Sequence, residues 1–220
     1  TAAKAVAYKI ISRNSEFPDV KNDVAANGFD GVWYVSGGWL DYVADKGLMS
    51  GYSSNGYFGP YDNITRGQVA VILYRYDQSK TAATTDNNVS TRFTDVPSGQ
   101  YYSAAVKWAS EAGIVTGYSS TGYTTFGPND PVNREQLALM IARYAGYKTT
   151  GKATVPAADP AKFNALRNAN QVDSWARDGM VYCCDKGIMG GIGGTDLAPL
   201  DNAWRAAMAK MITVTVRDVL

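Results

Sequence analysis

The sequence predicts an all-α protein in which three related units share one core with pseudo-threefold symmetry. Three recurring features predict this fold class: a Pro placed six residues before an Arg, a helical apolar stripe after that Arg, and a Gly-rich turn before the Pro. The pairs are Pro60 and Arg66, Pro128 and Arg134, and Pro199 and Arg205. Each unit offers only short amphipathic helices, so we expect the three to bury one core together.

A helix is predicted to begin at each of these arginines. In the first unit the apolar positions are Val69, Ile72, Leu73 and Tyr76, which have the spacing of one helix face. Residues able to cap the helix stand before the Arg and two positions after it. They are Thr65 with Gln68 in the first unit and Asn133 with Gln136 in the second. The third unit departs from this pattern, with Trp204 at the cap and Ala207 in place of Gln.

A Gly-apolar-apolar-X-Gly segment precedes each Pro and predicts a helix end followed by a turn. The paired glycines are Gly47 and Gly51, Gly113 and Gly117, and Gly187 and Gly191. The first Gly of each pair suits the left-handed backbone at a helix C-terminus. The second opens the turn that leads to the Pro.

A first helix is predicted upstream of each turn, after a Phe-X-Asp segment. That segment carries Asp19 in the first unit and Asp95 in the second, whereas Asn168 stands at this position in the third. Tyr101 and Trp175 lie twelve residues before the first turn Gly of units two and three. The first unit is less regular, and either Trp33 or Trp39 is its equivalent aromatic.

These elements divide the chain into unit one (1–80), unit two (92–147) and unit three (160–220), which together form one structural domain. An additional helix is expected at 2–12. The Thr-, Asn- and Asp-rich run 79–91 and the stretch 147–159 are interpreted as linkers.

Composition excludes several functional classes. The chain of 220 residues has a formal net charge of +1, which gives no reason to expect a nucleic-acid or membrane partner. It contains no His, which removes Ser-His-Asp and Cys-His catalysis and most zinc sites. No Asp/Glu pair stands out as a glycosidase pair, so we predict no catalytic residue, metal or cofactor. The two cysteines, Cys183 and Cys184, are interpreted as small helix-borne thiols, with a vicinal redox pair as the alternative.

The motifs resemble those of the S-layer homology (SLH) family, in three tandem modules. The resemblance rests on the ordered Phe-X-Asp, Gly-X-X-X-Gly and Phe-X-Pro segments and on the helix starts "NITRGQVAVILYR" and "PVNREQLALMIAR". It implies a three-pronged spindle in which the helices after each Arg form a central three-helix bundle, with grooves between the prongs. It also implies an extracellular protein of the cell wall or S-layer that binds secondary cell-wall polysaccharide, commonly its pyruvylated terminal amino sugar.

Arg66, Arg134 and Arg205 are the main candidates for contact with that acidic glycan. A helix start supplies unpaired N–H groups, and a guanidinium can hold a carboxylate through two hydrogen bonds. Arg opposes the helix dipole at this position, and a bound anion would reverse that effect. Because unit two is nearest the family pattern, its Arg134 is the best single candidate, and we expect its replacement to weaken binding with little change in stability. The alternative is structural pairing with nearby carboxylates, namely Asp19, Asp95, Asp62, Asp130 or Asp201.

The remaining site candidates each have a structural alternative. The turn glycines Gly51, Gly117 and Gly191 and the adjacent Tyr52 and Tyr118 are expected beside the ligand. For Asp19 and Asp95 we favour a capping role. Trp39, Tyr101 and Trp175 offer flat faces to a sugar, and for at least half of the aromatic candidates we favour packing between helices. Gln68 and Gln136 are helix caps first and ligand donors second.

The sequence therefore favours a non-enzymatic wall-anchoring module. The competing hypothesis is a protein–protein module that docks on neighbouring surface proteins or assembles into a lattice.

Overall fold

The computed structural model describes residues 17–28, 32–79 and 84–220, and in these ranges the chain is helical. Pairing of extended segments within them is confined to isolated β-bridges. The all-α prediction is confirmed. The helix expected at 2–12 lies outside the described residues.

The main helices follow the predicted order. They are α1 (Pro18–Asn27), α2 (Trp33–Ser36), α3 (Trp39–Asp45), α4 (Arg66–Gln78), α5 (Ser103–Glu111), α6 (Arg134–Thr150), α7 (Ala161–Asn164), α8 (Arg177–Asp185) and α9 (Arg205–Val214). Short 3-10 turns occupy Ser119–Thr121 and Ala169–Gln171, and a π-helical turn, Thr215–Val219, continues α9. The helices α4, α6 and α9 begin at the predicted arginines, and α6 runs past the expected end of unit two.

Helix ends follow local sequence. Thr65 and Gln68 form the predicted capping box at α4: the Thr65 hydroxyl accepts from the Gln68 N–H, and the Gln68 side chain accepts from the Thr65 N–H. Asn133 accepts from the Gln136 N–H at α6, whereas Trp204 makes no side-chain cap at α9. The first turn glycines, Gly47, Gly113 and Gly187, all have positive φ, as the C-cap interpretation requires.

The residues just before α4, α6 and α9 form a closed ring of backbone hydrogen bonds. Ile64 N–H donates to the Ala203 carbonyl at 3.0 Å, Val132 N–H to Ile64 at 3.0 Å, and Ala203 N–H to Val132 at 2.8 Å. All three side chains are buried. This ring joins the three units at one point and gives the predicted pseudo-threefold relation a physical basis.

Each Arg-led helix packs against the helix that directly precedes the Gly-rich turn of the following unit. The closest helix pairs are α4 with α5, α6 with α8, and α9 with α3, and the last pair closes the circle from unit three to unit one. The apolar stripes of α4, α6 and α9 belong to one cluster of buried residues. The units are therefore interleaved around a shared core.

The two cysteines lie on α8 as buried free thiols. Cys183 Sγ lies 3.5 Å from the Ala138 carbonyl oxygen, and burial raises the pKa of both thiols, that of Cys184 to about 11. At neutral pH both are protonated, as expected of small packing residues.

Candidate ligand-binding site

The three motif arginines reach into the turn of the following unit. Arg66 Nε donates to the Phe126 carbonyl at 2.8 Å and Nη2 to the Thr116 carbonyl at 3.0 Å. Arg134 makes the same pair of bonds to Leu197 and Gly190, and Arg205 makes them to Phe58 and Ser50. The exposed fraction of the three residues is only 7–9%. Each Arg therefore ties two units together.

This arrangement corrects two expectations. The guanidinium groups are not freely open to solvent, because one edge of each is occupied by backbone carbonyls. The structural alternative named carboxylates as partners, yet no ion pair within the described residues joins these arginines to Asp. The partners are carbonyl groups at the two ends of each Gly-rich turn, which a sequence motif does not identify.

The helix starts are also occupied. Arg66 N–H donates to the Asp130 carbonyl at 3.0 Å and Gly67 N–H to the Pro128 carbonyl at 2.9 Å, with equivalent bonds at α6 and α9. At α4 and α6 a side-chain cap takes the next N–H. The expected set of free N–H groups for an anion is thus wrong, because the loop of the next unit already satisfies them.

Aromatic rings cover two of the three guanidinium groups. Arg66 Cζ lies 4.6 Å from the Tyr118 ring centre and 4.7 Å from that of Phe126. Arg205 lies similarly over Tyr52 and Phe58. The tyrosine hydroxyls donate to Asp130 and Asp62, at 2.9 and 2.8 Å. Burial lowers the pKa of both arginines, and the nearby tyrosines and carboxylates oppose that shift, so the cation–π stacks hold charged groups.

A groove of about 630 Å³ on the described surface contains Arg66. Its floor and walls come from the turn of unit two, including Gly117, Tyr118 and Tyr123. One face of α6 contributes Gln136, Leu139, Met140 and Arg143. Arg92 and Trp175 complete the lining. We call this the Arg66 groove; its size is typical of small-ligand sites.

A second groove of about 390 Å³ is built from equivalent positions one unit further on. It contains Arg134, the turn of unit three from Ile188 to Gly193, and a face of α9. The α9 residues are Ala207, Lys210 and Met211, with Trp204 just before the helix, and Trp33 takes the place that Trp175 has in the first groove. We call this the Arg134 groove. Each groove draws its Arg, its turn and its aromatic side chain from three different units.

The surroundings of Arg205 differ. Tyr101, the equivalent of Trp175, lies beside Thr65 and Arg75, and Arg75 donates to the Leu48 carbonyl. Tyr101 and Arg75 line a small cavity of about 70 Å³.

Trp175 is held in position by a chain of polar contacts. Its indole N–H donates to the Asp173 carboxylate at 3.0 Å. The Asp173 backbone N–H donates to Glu135 Oε2, also at 3.0 Å. Glu135 is buried at the start of α6, and burial raises the pKa of its carboxyl group. The indole remains about half exposed at the rim of the Arg66 groove.

Several residues predicted to contact the ligand instead make hydrogen bonds within the protein. Asp19 accepts from the N–H groups of Phe58 and Gly59, and Asp95 from those of Phe126 and Gly127, at 2.7–2.9 Å. The two carboxylates therefore have a structural role, but their partners lie 31–40 residues along the chain and not in the local turn that the capping interpretation implied. In unit three, Asp196 accepts from Asn168 and from the Ala198 N–H instead.

The turn glycines are required by close backbone approach. A Cβ atom at Gly51, Gly117 or Gly191 would lie 2.5–2.8 Å from backbone atoms across the turn.

Trp39 packs behind the Arg134 groove, where its ring lies 5.1 Å from Lys210 Nζ. Gln68 is held in its capping box, whereas the buried Oε1 of Gln136 has no hydrogen-bond partner among the described residues.

Sequence reasoning missed Arg92, Arg143 and Lys210 as groove residues. A helical-face argument starting at Gln136 would have found Arg143, because residues seven apart share a face. It offered Trp33 only as an alternative to Trp39. No comparable signal exists for Arg92, which lies in a loop.

Comparisons with known proteins agree with the motif pattern. The family model described as "S-layer homology domain" matches residues 39–70 and 92–138. A surface layer protein of Brevibacillus choshinensis is 29% identical over 58% of this chain and 11% of its own length. A middle cell wall protein of Brevibacillus brevis is 30% identical over 57% of this chain and 12% of its own length.

An amylopullulanase of Thermoanaerobacterium thermosulfurigenes is 25% identical over 90% of this chain and only 9% of its own length. The chain thus spans a small part of each of these relatives.

Among the described residues, no group of three His, Cys, Asp or Glu could hold a metal ion. No helix there combines the length and the apolar character that a membrane span requires.

Proposed function

We propose that this chain, which carries modules of the S-layer homology family and is located at the bacterial cell surface or wall, anchors a surface protein. The anchoring is through binding of an acidic wall polysaccharide in its grooves. The surface and cell-wall relatives support the anchoring role. The ligand class is our proposal, with the pyruvylated terminal amino sugar of secondary cell-wall polysaccharide as its most specific form.

The observation that carries the proposal is the charge of the Arg66 groove. Three guanidinium groups, Arg66, Arg92 and Arg143, line it, and no carboxylate is among its lining residues. The Arg134 groove has Arg134 and Lys210 and no carboxylate among its lining residues, and Asp201 lines the adjoining cavity that also contains Arg134. In a chain with 21 basic and 20 acidic residues, this concentration of one sign supports an anionic ligand.

The contacts suggest how each group acts. Because carbonyls engage Nε and Nη2 of Arg66, we assign its Nη1 to a carboxylate of the ligand. The Trp175 ring offers a flat, partly exposed face to the sugar. Tyr118 and Phe126 hold the guanidinium in place and reduce the cost of ordering it on binding.

Binding at each groove need not be tight. A polymer-coated wall presents many chain ends, and engagement of two grooves at once increases retention through effective concentration. We assign no catalytic function. The relative named as an enzyme is matched over a small fraction of its length, which fits a module attached to a separate catalytic part.

The test is sedimentation of the chain with purified, protein-free cell walls. We expect retention by intact walls, loss of retention on walls stripped of their polysaccharide, and competition by a pyruvylated N-acetylmannosamine glycoside. Equal recovery with intact and stripped walls would contradict the proposal. If the chain did not sediment with walls but associated with itself or with surface proteins, the protein–protein hypothesis would be favoured.

A further inference from the structure

The Arg66 groove carries cationic groups beyond the repeated motif arginine. We propose that this groove binds a saccharide segment bearing two anionic groups, one held by Arg66 and the other by Arg143 together with Arg92. This inference rests on the proposed function and specifies the ligand of one of its sites. The second anion is a carboxylate or a phosphate on the sugar next to the terminal acidic one.

Arg143 is the central residue of this second subsite. It lies on the same face of α6 as Gln136, and its side chain is only partly exposed within the groove lining. In the part of the chain that the structure describes, no hydrogen bond or ion pair engages its guanidinium group. A partly buried cation without a partner is unfavourable, and a ligand anion would remove that cost.

The equivalent positions on the other two Arg-led helices do not carry an unpartnered cation. Arg75 occupies the same position on α4, but its Nη1 donates to the Leu48 carbonyl. On α9 the position is Val214. At this position, α6 alone therefore places a cation with no hydrogen-bond or ion-pair partner from the described chain.

Arg92 and Gln136 line the same groove and add to the subsite. Arg92 is exposed, its Cζ lies 4.8 Å from the Phe93 ring centre, and it lines the same groove. The buried Oε1 of Gln136 has no partner in the described structure, so the amide supplies an acceptor for a sugar hydroxyl or amide N–H. The subsite therefore offers donors for an anion beside an acceptor for a neutral sugar group.

The Arg134 groove gives an internal contrast. Lys210 lines it at the position of Leu139, and Val214 stands where Arg143 would be. The Lys210 ammonium lies over the Trp39 ring, and burial lowers its pKa. We expect this smaller groove to accept a ligand with one anionic group.

The experiment is isothermal titration calorimetry of the full chain with three synthetic disaccharides that share one backbone. The first carries a single terminal carboxylate, the second an additional carboxylate on the neighbouring sugar, and the third a phosphate there. We expect at least one of the dianionic ligands to bind about ten-fold more tightly than the monoanionic one. The stronger of the two identifies the second anion.

Variants assign the effect to Arg143. R143Q is expected to remove the dianionic advantage, weakening the dianionic ligand by about ten-fold and the monoanionic one by much less, and R143K to retain part of the advantage. R75Q, at the same position on α4, and K107Q, which removes an exposed charge on α5, are the controls and should keep the advantage. Equal affinity for all three ligands, or equal weakening of all three by R143Q, would overturn the inference alone. Failure of every ligand to bind would overturn the proposed function as well.

Discussion

Arg66 and Phe126 are sixty positions apart in sequence, yet Arg66 Nε donates to the Phe126 carbonyl oxygen at 2.8 Å. The same bond joins Arg134 to Leu197 and Arg205 to Phe58, so the three arginines close a circle through all three units. The residue that the repeat pattern indicates most strongly thus has a structural task. Its part in binding depends on the portion of the guanidinium that this task leaves free.

Replacement of Arg134 tests the structural task directly. R134Q removes the donors to Leu197 and Gly190 and leaves two carbonyls unsatisfied. We expect a loss of about 2–5 kcal/mol in the free energy of unfolding, which corresponds to roughly 5–15 °C in the melting midpoint. Thermal unfolding followed by circular dichroism measures it, with the exposed Arg167→Gln as the control.

A midpoint for R134Q within about a degree of the wild-type value would show that these bonds contribute little. In that case the original expectation, weaker binding without loss of stability, would be restored.

Replacement of Trp175 tests the groove without disturbing the core. W175A removes an indole that is 49% exposed, so we expect an unchanged melting midpoint and about ten-fold weaker binding to wall polysaccharide. The matched control is Tyr57→Ala, which removes an aromatic ring of similar exposure that does not line the Arg66 or Arg134 groove. Equal weakening by both variants would argue against a specific role for Trp175.

The buried carboxyl of Glu135 predicts a pH dependence of stability. Burial raises its pKa above the usual 4.5, so between the two pKa values the folded state binds more protons than the unfolded state. Stability therefore falls as pH rises through this window and increases as pH is lowered from neutral toward about 4.5. The E135Q variant keeps an acceptor for the Asp173 N–H and should lose this trend.

The measurement is the difference in melting midpoint between wild type and E135Q at a series of pH values. The exposed Glu111→Gln variant on α5 serves as the control. A difference that stays constant from neutral pH to about 4.5 would show that Glu135 titrates in the same way in both states.

Gly190 and Gly191, in the turn of unit three, allow a test of whether a glycine is required because a Cβ atom would clash. A Cβ at Gly191 would lie 2.8 Å from the backbone nitrogens of Thr195 and Asp196, whereas a Cβ at Gly190 would have no atom within 4 Å. We expect G191A to lower stability by about 2 kcal/mol or more and G190A to have little effect, as measured by urea unfolding. Similar midpoints for the two variants would refute the close-packed turn.

The interleaved helices predict that the units do not fold separately. A chain that ends at residue 159 loses α8, the partner of α6, and both carbonyl partners of Arg134. We expect no cooperative thermal transition for this fragment, and recovery of one when the 160–220 peptide is added. A fragment that melts cooperatively on its own near the full-chain temperature would contradict the shared core.

The helix starts, caps and turns were predictable because each depends on a few neighbouring residues. Thr65 with Gln68, and the glycines at 47, 113 and 187, have the roles that their local sequence indicates. The guanidinium partners were not predictable, because backbone carbonyls carry no sequence signature. Among the groove residues, Arg143 could have been found from its spacing to Gln136, whereas Lys210 required knowledge of which helix face is turned away from the core.

Sequence alone predicted three units, the places where helices begin and end, the class of fold and a resemblance to the S-layer homology family, since all of these follow from short-range spacing repeated three times. Only the folded chain decided which groups meet. The hydrogen-bonded ring at Ile64, Val132 and Ala203 places each Arg against the turn of the next unit. As a result, loop carbonyls of that unit occupy the N–H groups at the helix starts, and each groove is built from three units. Contacts between residues far apart in sequence arise from packing of the shared core, and for that reason no single repeat contains the site.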